Sequence, residues 1–289
     1  MLSNEMALGA YDIDLAPMCS DHIPQLHELS LAVRWPHRAT DWKALMMMGE
    51  GFVGLDSVER LVCSMMYFPM SDDFASIGMG ISSPRLQSLG AGRWLAQHIQ
   101  DQVQDRHIHL FATKDSLPLC LQFGFDIVQP VFHLNGVVSR RACAPHFPEV
   151  KTLHKSDYQA IEQLDSQAMG VHRHRIIHHL LHLSKGRVLY QDDQLRAFAL
   201  YRPFGRGYVI GPIVAEDEAQ AIELIAPILS ELSGHFVRVD TYLSGGAFVD
   251  YLNSVNVTLH ETATKMARGV LPKPVGRATM IALASQATG

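Results

Sequence analysis

The sequence of 289 residues predicts an α/β fold made of two similar domains. At about 150 residues per domain, the length favours two domains over one. Apolar residues make up 47% of the chain and charged residues 18%, so the chain has enough apolar surface to fold and too little charge to stay disordered. Each half also contains stretches typical of strands and of helices, in the same order.

Charge and hydropathy restrict the partners of this chain. The net charge of −5 lacks the basic excess that DNA or RNA binding requires, so no nucleic-acid partner is expected. No apolar run approaches the roughly 18 residues that span a bilayer, and the first Lys or Arg is Arg34. We therefore expect a cytoplasmic protein without membrane association. Its cysteines, which lack any CxxC spacing, are expected to be reduced thiols.

A stretch rich in Arg, Pro and small residues, 139–148, separates the two halves. It predicts a first domain over 1–140, a linker over 141–149 and a second domain over 150–289. Alternating apolar residues and turn residues in the first half predict a strand at 11–15, a helix to about 33 and a short helix at 41–48. The elements predicted next are strands at 51–56, 60–68 and 74–82, a helix at 90–105, a strand at 107–112, a helix ending at 123–124, and strands at 125–128 and 131–135.

The second half repeats this order, which indicates an ancient duplication, although many α/β chains also alternate in this way. The predicted elements are a strand at 150–153, helices from 156 and from about 172, strands near 187–191, 195–202 and 207–214, a helix at 217–232, a strand at 236–241, a helix ending near 252 and strands to 266. The tail, 270–289, is expected to dock as a last strand or helix.

The loop at 78–95 is the most informative part of the sequence. It joins a predicted strand to a predicted helix, and Gln87, Gly90 and Gly92 follow the spacing Q-x-x-G-x-G. Two residues without a Cβ at the mouth of a helix let a diphosphate approach unpaired backbone N–H groups. Arg85 and Arg93 add positive charge, and no Asp or Glu occurs between 81 and 100. A tight turn with close helix packing is the simpler interpretation of the same glycines.

Other glycine motifs fit poorly. The dinucleotide spacing G-x-G-x-x-G, the P-loop G-K-S/T and the nucleophile elbow G-x-S-x-G are all missing from this loop. The spacing instead resembles R/Q-x-x-G-x-G/A, the signature of the GNAT superfamily of acyl-CoA-dependent N-acyltransferases. The likeness continues at 35–42, 110–113, 118–125, 207–215 and 266–269, where the chain resembles bacterial tandem GNAT proteins of the YitH-like type.

This resemblance implies two tandem GNAT-like domains, each with a mixed, mostly antiparallel sheet flanked by helices. Acetyl-CoA is the implied co-substrate, with its pantetheine arm along the end of the fourth strand and its pyrophosphate on N–H groups at the start of the next helix. The residues expected to bind it are Ile81, Ser82, Ser83, Gln87, Ser88, Leu89, Gly90, Ala91, Gly92, Arg93 and Thr113.

The reaction needs a base for the ammonium proton and an acid for the departing thiolate. GNAT proteins often use a tyrosine of the fourth helix as the acid, but Cys120 stands at that position here. A thiol of ordinary pKa could relay the proton, whereas a buried cysteine is more often an inert apolar residue. Asp72 and Asp73, beside the predicted strand at 74–82, and His37 are the candidate bases. The simpler interpretation is a solvated turn for the two aspartates and a structural histidine for His37.

The second domain is expected to hold no cofactor. It has no glycine at the corresponding position, and Glu216, Asp217 and Glu218 place three carboxylates where a diphosphate would sit. We expect this domain to wall the acceptor cleft of the first. The same domain contains a histidine cluster at 172–182. Because this cluster has no cysteine and no fixed carboxylate partner, it predicts a polar helix face and no metal site.

The sequence therefore predicts an acetyl-CoA-dependent N-acetyltransferase that moves the acetyl group to a primary amine of a small molecule by direct attack in a ternary complex. Because Cys120 replaces the usual acid, a non-catalytic acyl-CoA-binding sensor is the alternative. Acylation of a protein lysine or N-terminus would instead require an open groove.

Overall fold

In a computed structural model, the structure describes residues 3–8, 11–87, 89–103, 105–139 and 147–289. These residues form a mixed sheet of 14 strands with α-helices on both of its faces. The strands are β1 (Glu5–Leu8), β2 (Tyr11–Pro17), β3 (Glu50–Asp56), β4 (Leu61–Pro69), β5 (Phe74–Ser82), β6 (His107–Ala112), β7 (Asp126–Val137), β8 (Val150–Thr152), β9 (Lys185–Gln191), β10 (Gln194–Phe204), β11 (Gly207–Ala215), β12 (Phe236–Thr241), β13 (Thr258–Arg268) and β14 (Thr279–Ala282).

The helices are α1 (Ile23–Ala32), α2 (Ala39–Met48), α3 (Ala91–Gln102), α4 (Leu117–Gln122), α5 (Tyr158–Met169), α6 (His174–Leu183), α7 (Glu218–Glu231) and α8 (Ala247–Ser254). Across the described part of the chain, no helix has both the length and the apolar character needed to cross a bilayer. The predicted α/β class is confirmed.

The two halves repeat one arrangement. Strands β2 to β5 are antiparallel neighbours in the first half, and β5 then pairs in parallel with β6. In the second half, β8 to β11 are likewise antiparallel, and β11 pairs in parallel with β12. Helices α3 and α7 each connect the members of a parallel pair, since a parallel connection needs a crossover.

The halves exchange strands at the centre of the sheet. β13, from the second half, lies between β6 and β7 of the first half. On its other side, β7 pairs with β12 of the second half. The strands predicted at 125–128 and 131–135 are in fact one strand, β7, that runs through Pro130. The first part of β7 pairs with β13 alone, and its later part also pairs with β12. The two halves therefore share one sheet.

The helices α1, α2, α5 and α6 pack together against one face of this sheet, which we call the inner face, in a core that includes Trp42 and Phe198. Arg175 of α6 donates its Nε–H to the Met47 carbonyl of α2 at 3.0 Å, so the two halves meet there directly. On the opposite face, α3 packs against the first half and α7 and α8 against the second.

The tail confirms the prediction of a last strand, β14, and then continues as 283–289 along the inner face. The hydroxyl of Ser76 donates to the Ala287 carbonyl at 2.7 Å. A Cβ on Gly78 would lie 2.9 Å from the Ala287 Cα, so glycine lets the tail lie directly on β5. Arg173, which is fully buried, donates to the Gly289 carbonyl at 2.6 Å and to the Asp165 carboxylate at 2.7 and 2.8 Å.

We expect Arg173→Met to lower the free energy of unfolding by about 3–5 kcal/mol, because it leaves the Asp165 carboxylate buried without a partner. The double variant Arg173→Met with Asp165→Leu should regain part of that loss, since no buried charge remains. Urea denaturation of both variants measures the two values. A single-variant loss below about 1 kcal/mol, or a double variant less stable than the single one, would contradict this account.

Candidate functional site

The parallel strands β5 and β6 separate towards their carboxyl ends. Their pairing ends at Ile77 and Leu110, although β5 continues to Ser82. Met79 has a φ of +55°, and the ladder between β4 and β5 is irregular next to it, which is the geometry of a β-bulge. Among the described residues, no strand pairs with the edge of β5 that faces β6 over residues 78–82. This free edge offers backbone donors and acceptors to an extended ligand.

The loop after β5 leads into a helix whose first backbone N–H groups have no partner within the helix. Gly90 takes a φ of +108°, which a residue with a Cβ rarely adopts, and α3 begins at the next residue. The first hydrogen bond within the helix joins the Trp94 N–H to the Gly90 carbonyl at 3.0 Å. The N–H groups of Ala91, Gly92 and Arg93 therefore have no partner within the helix, and the helix dipole adds partial positive charge there.

The second glycine of the motif is not required by packing. A Cβ on Gly92 would lie 3.6 Å from the Ser82 Oγ and 3.9 Å from the Leu119 Cδ2, which are ordinary van der Waals distances. Close helix packing therefore does not explain this glycine. Its missing Cβ instead leaves room where the end of β5, the start of α3 and α4 meet. The loop thus fits an anion that approaches the backbone closely.

The side chains of the loop mostly hold it in place. Gln87 donates its amide to the Ser82 carbonyl at 3.4 Å, and Leu89 is exposed. Arg93 bonds to Gln122 of α4, so it contributes its backbone rather than a free guanidinium. Ser88 lies outside the described residues.

The remaining predicted cofactor residues lie on the two strands. Ile81 is buried, and both Ser82 and Ser83 are partly buried at the end of β5. The Thr113 hydroxyl lies 3.1 Å from the Ser116 hydroxyl and accepts the Ser116 N–H at 3.3 Å. Thr113 therefore organises the turn before α4, just beyond the end of β6.

Asp73 does not lie near this loop. It precedes β5, whose nine residues separate it from Ser82 by about 30 Å at 3.3 Å per residue. The carboxylate is exposed and accepts the Ser71 hydroxyl at 2.6 Å, and this hydrogen bond lowers the pKa of Asp73. The structure thus places Asp73 in a solvated turn, too far from the loop to act as its base.

His37 lies against the second half of the chain. Its ring packs edge-on against Phe204, with the ring centroids 5.1 Å apart, and its Nδ1 is buried without a partner among the described residues. Burial, and then the charges of Arg238 and Arg202, lower the pKa of His37 to about 3. A neutral imidazole of such low basicity is a poor acceptor for an ammonium proton.

Cys120 lies on α4 and is partly buried against the apolar core under α3. Burial raises the pKa of the Cys120 thiol to about 11. An acid of that pKa protonates a thiolate of ordinary pKa, about 8.5, only against a cost of roughly 3 kcal/mol. Cys120 therefore suits an apolar wall better than an acid.

The equivalent gap of the second half is filled by the chain itself. β11 and β12 pair only at Tyr208–Val237 and Val209–Arg238. Beyond those pairs, β14 enters between them, and Ala282 pairs with Ile213 on one side and with Thr241 on the other. This edge is therefore already paired, and an extended ligand cannot add to it as a further strand.

Carboxylates of the protein itself occupy the start of α7 and accept hydrogen bonds from backbone N–H groups. Asp217 accepts the Gln220 N–H at 2.9 Å, as the predicted self-capping requires. Glu218 accepts the Phe248 N–H at the start of α8, at 2.7 Å. Both carboxylates occupy the end of the helix where the first half presents glycines.

The histidine cluster lies on α6 and has a carboxylate partner that the sequence did not reveal. Glu162 of α5 lies 3.3 Å from the His174 Nδ1 and 3.9 Å from the His178 Nδ1. His178 and His182 face each other at 4.4 Å between ring centroids. Within the described ranges, no three His, Cys, Asp or Glu side chains are arranged to hold a metal ion.

Comparison with known proteins supports the class of this fold. Residues 161–280 match the family model described as an acetyltransferase (GNAT) domain. A putative acetyltransferase from Pyrococcus horikoshii is 15% identical, with a TM-score of 0.77 over 96% of each chain. A tandem GNAT protein from the clavulanic acid biosynthesis pathway is 12% identical, with a TM-score of 0.63 over 91% of this chain and all of the other. A comparison with curated protein sequences finds no match.

The fold is therefore that of the GNAT acetyltransferases, in its tandem arrangement. The matched segment covers less than half of the chain and lies in the second half, whereas the open strand edge and the glycine loop lie in the first.

The raised pKa of Cys120 can be tested by alkylation. At pH 7.5 its thiol should react with iodoacetamide much more slowly than the exposed Cys19, and its rate should rise about tenfold per pH unit towards pH 11, because only the thiolate reacts. Mass spectrometry of the labelled peptides measures both rates. A Cys120 rate that levels off near pH 8.5 would show that burial does not suppress this thiolate.

Proposed function

We propose that this protein is an acetyl-CoA-dependent N-acetyltransferase that acts on a primary amine of a small molecule, with one acyl-CoA site per chain, in the first half. The observation that carries this proposal is the contrast between the two halves. Among the described residues, no strand covers the edge of β5 over residues 78–82, which leads to N–H groups at Gly92 and its neighbours that have no partner within α3, whereas the matching edge of β11 is covered by β14.

The free edge and the loop suit the two parts of coenzyme A. An extended pantetheine arm contains amides, which can pair as a strand would with the free edge of β5, up to Ser82. The predicted contact to the backbone of Ser83 is not available, because its N–H donates to Val62 and its carbonyl accepts from Leu86 and Gln87. The pyrophosphate needs several N–H donors and no competing carboxylate, and the start of α3 supplies both. The thioester supplies an electrophilic carbonyl, and N–H groups of the same strand edge are suited to stabilise charge on its oxygen.

In the proposed reaction, the neutral amine attacks the thioester carbonyl directly. A C–N bond forms, the C–S bond breaks, and water carries the proton that the attacking nitrogen loses to the departing CoA thiolate. Because the pKa values of His37 and Cys120 are shifted away from neutrality, water is the simplest proton carrier. The tail at 283–289 covers the inner face of β5 at Ser76 and Gly78, which favours a small acceptor over a protein chain.

Calorimetry with acetyl-CoA tests the proposed site. We expect one molecule to bind per chain, and Gly92→Ala to weaken binding by at least about tenfold, or 1.4 kcal/mol. The same substitution should leave stability unchanged or raised, because the new Cβ meets no close neighbour and alanine favours a helix.

Gly245→Ala is the matched control, since its Cβ also enters open space but in the second half. It should bind acetyl-CoA like the wild type. Wild-type protein that binds no acetyl-CoA, or that binds two molecules per chain, would contradict the proposal, as would a Gly92→Ala variant with unchanged affinity.

Turnover separates the enzyme from the alternative, an acyl-CoA-binding sensor. A thiol-release assay over a panel of primary amines should show CoA production that depends on the acceptor. Cys120→Ala should change kcat by less than about threefold, because a thiol with a pKa of about 11 is a poor acid. A loss of a hundredfold would assign the acid role to Cys120. Tight acetyl-CoA binding without turnover of any amine would favour the sensor.

A further inference from the structure

Three polar side chains meet at the centre of the inner face. Lys265 of β13 pairs with Phe111 of β6, so both side chains lie on the face that also carries His109, two residues earlier on β6. The Lys265 Nζ lies 5.1 Å from the centre of the Tyr242 ring. Leu283, the first residue after β14, packs in the same cluster as Phe111 and Tyr242.

The Lys265 ammonium, the Tyr242 hydroxyl and the His109 Nε2 have no hydrogen-bond or carboxylate partner among the described residues, and of these atoms the His109 Nε2 is fully buried. Among the described residues, no carboxylate lies within 4.0 Å of the Lys265 ammonium, and no hydrogen bond engages the Tyr242 hydroxyl. The Nε2 of His109, which is 1% exposed, is buried without a partner. By contrast, the neighbouring cation Arg173 is neutralised by Asp165, and Arg238 by Asp240. Lys265 is thus an unneutralised cation in a partly buried place.

The pKa values of all three groups are shifted by the burial described above. Burial, and then the charge of Arg173, lower the pKa of Lys265 to about 8. Burial, followed by the charges of Lys265 and Arg173, lowers the pKa of His109 well below its ordinary value. Burial raises the pKa of Tyr242, so its hydroxyl remains a donor at neutral pH. The region is largely buried and carries the positive charge of Lys265, which an anion would compensate.

This place is within reach of the proposed acyl-transfer site. Only β6 separates β13 from β5, and neighbouring strands lie about 4.8 Å apart, so the backbone of Lys265 is about 10 Å from that of β5. Lys265 also lies one residue beyond the last pair of β5 with β6, where the gap opens. A small molecule with an amine at the gap can therefore extend another group towards the Lys265 ammonium.

We propose that the acceptor is an amine that also carries a carboxylate, and that Lys265 and Tyr242 bind this carboxylate while His109 offers its free Nε2 beside them. The proposal rests on the proposed function, because it names the substrate class of that same site. A lysine ammonium and a phenol hydroxyl are donors suited to a carboxylate, and their hydrogen bonds to it are strengthened by its charge.

The test compares amino acids with the amines left by their decarboxylation, as in glycine with methylamine and β-alanine with ethylamine, over a wider panel of such pairs. Binding is measured by calorimetry to protein saturated with CoA, so that it does not depend on turnover. In the wild type, at least one amino acid should bind about tenfold or more tightly than its matched amine. In Lys265→Met this difference should disappear.

Lys151→Met is the matched control, because the Lys151 ammonium also lies over a tyrosine ring, that of Tyr190, but at the surface. It should keep the wild-type preference. Tyr242→Phe gives a second test if Lys265→Met does not fold, and should narrow the preference by about threefold, since one neutral donor is lost.

The inference is overturned if no amino acid binds more tightly than its amine, or if the folded Lys265→Met variant keeps the preference, or if Tyr242→Phe leaves it unchanged. Failure of the proposed function has a different signature. In that case acetyl-CoA and CoA do not bind, and the same panel measured on the free protein still decides whether this cluster binds carboxylates.

Discussion

The separation of β5 from β6 is the constraint on which the candidate site depends. A parallel pair that stays closed has no free backbone edge, and a pair that opens must have its exposed groups satisfied by something else. In the second half the chain supplies its own strand, β14, and Ala282 bonds to both sides of the gap. In the first half the edge stays free and leads directly to the glycine-opened helix α3.

Strand exchange at the centre of the sheet gives the two halves a shared interior. Because β13 lies between β6 and β7, residues of the second half face the acceptor side of the first. Lys265 lies on this strand next to the gap. The tail brings Ala287 against β5, and Arg173 binds the Gly289 carbonyl. In the proposed function, the second half thus contributes walls and charges to the site, whose glycine loop lies in the first half.

The sequence predicted what depends on local patterns. β5 has the predicted bounds, and the glycine loop precedes a helix as expected, because alternation and turn residues act over a few positions. It failed where distant residues meet. Asp73 is a candidate base by its position beside β5, yet the length of that strand separates it from the loop. The pairing of Glu162 with His174 is also not visible in a one-dimensional pattern. The partners of β7 and the burial that shifts the pKa of Cys120 likewise arise only from tertiary packing.

A crystal structure of the protein with acetyl-CoA tests the central claim most directly. The account predicts one molecule per chain, with its pantetheine arm paired along residues 78–82 of the first half and its pyrophosphate at the N–H groups of Ala91, Gly92 and Arg93. It also predicts that β14 stays in place between β11 and β12. Electron density for the ligand between β11 and β12, with β14 displaced, would contradict the account.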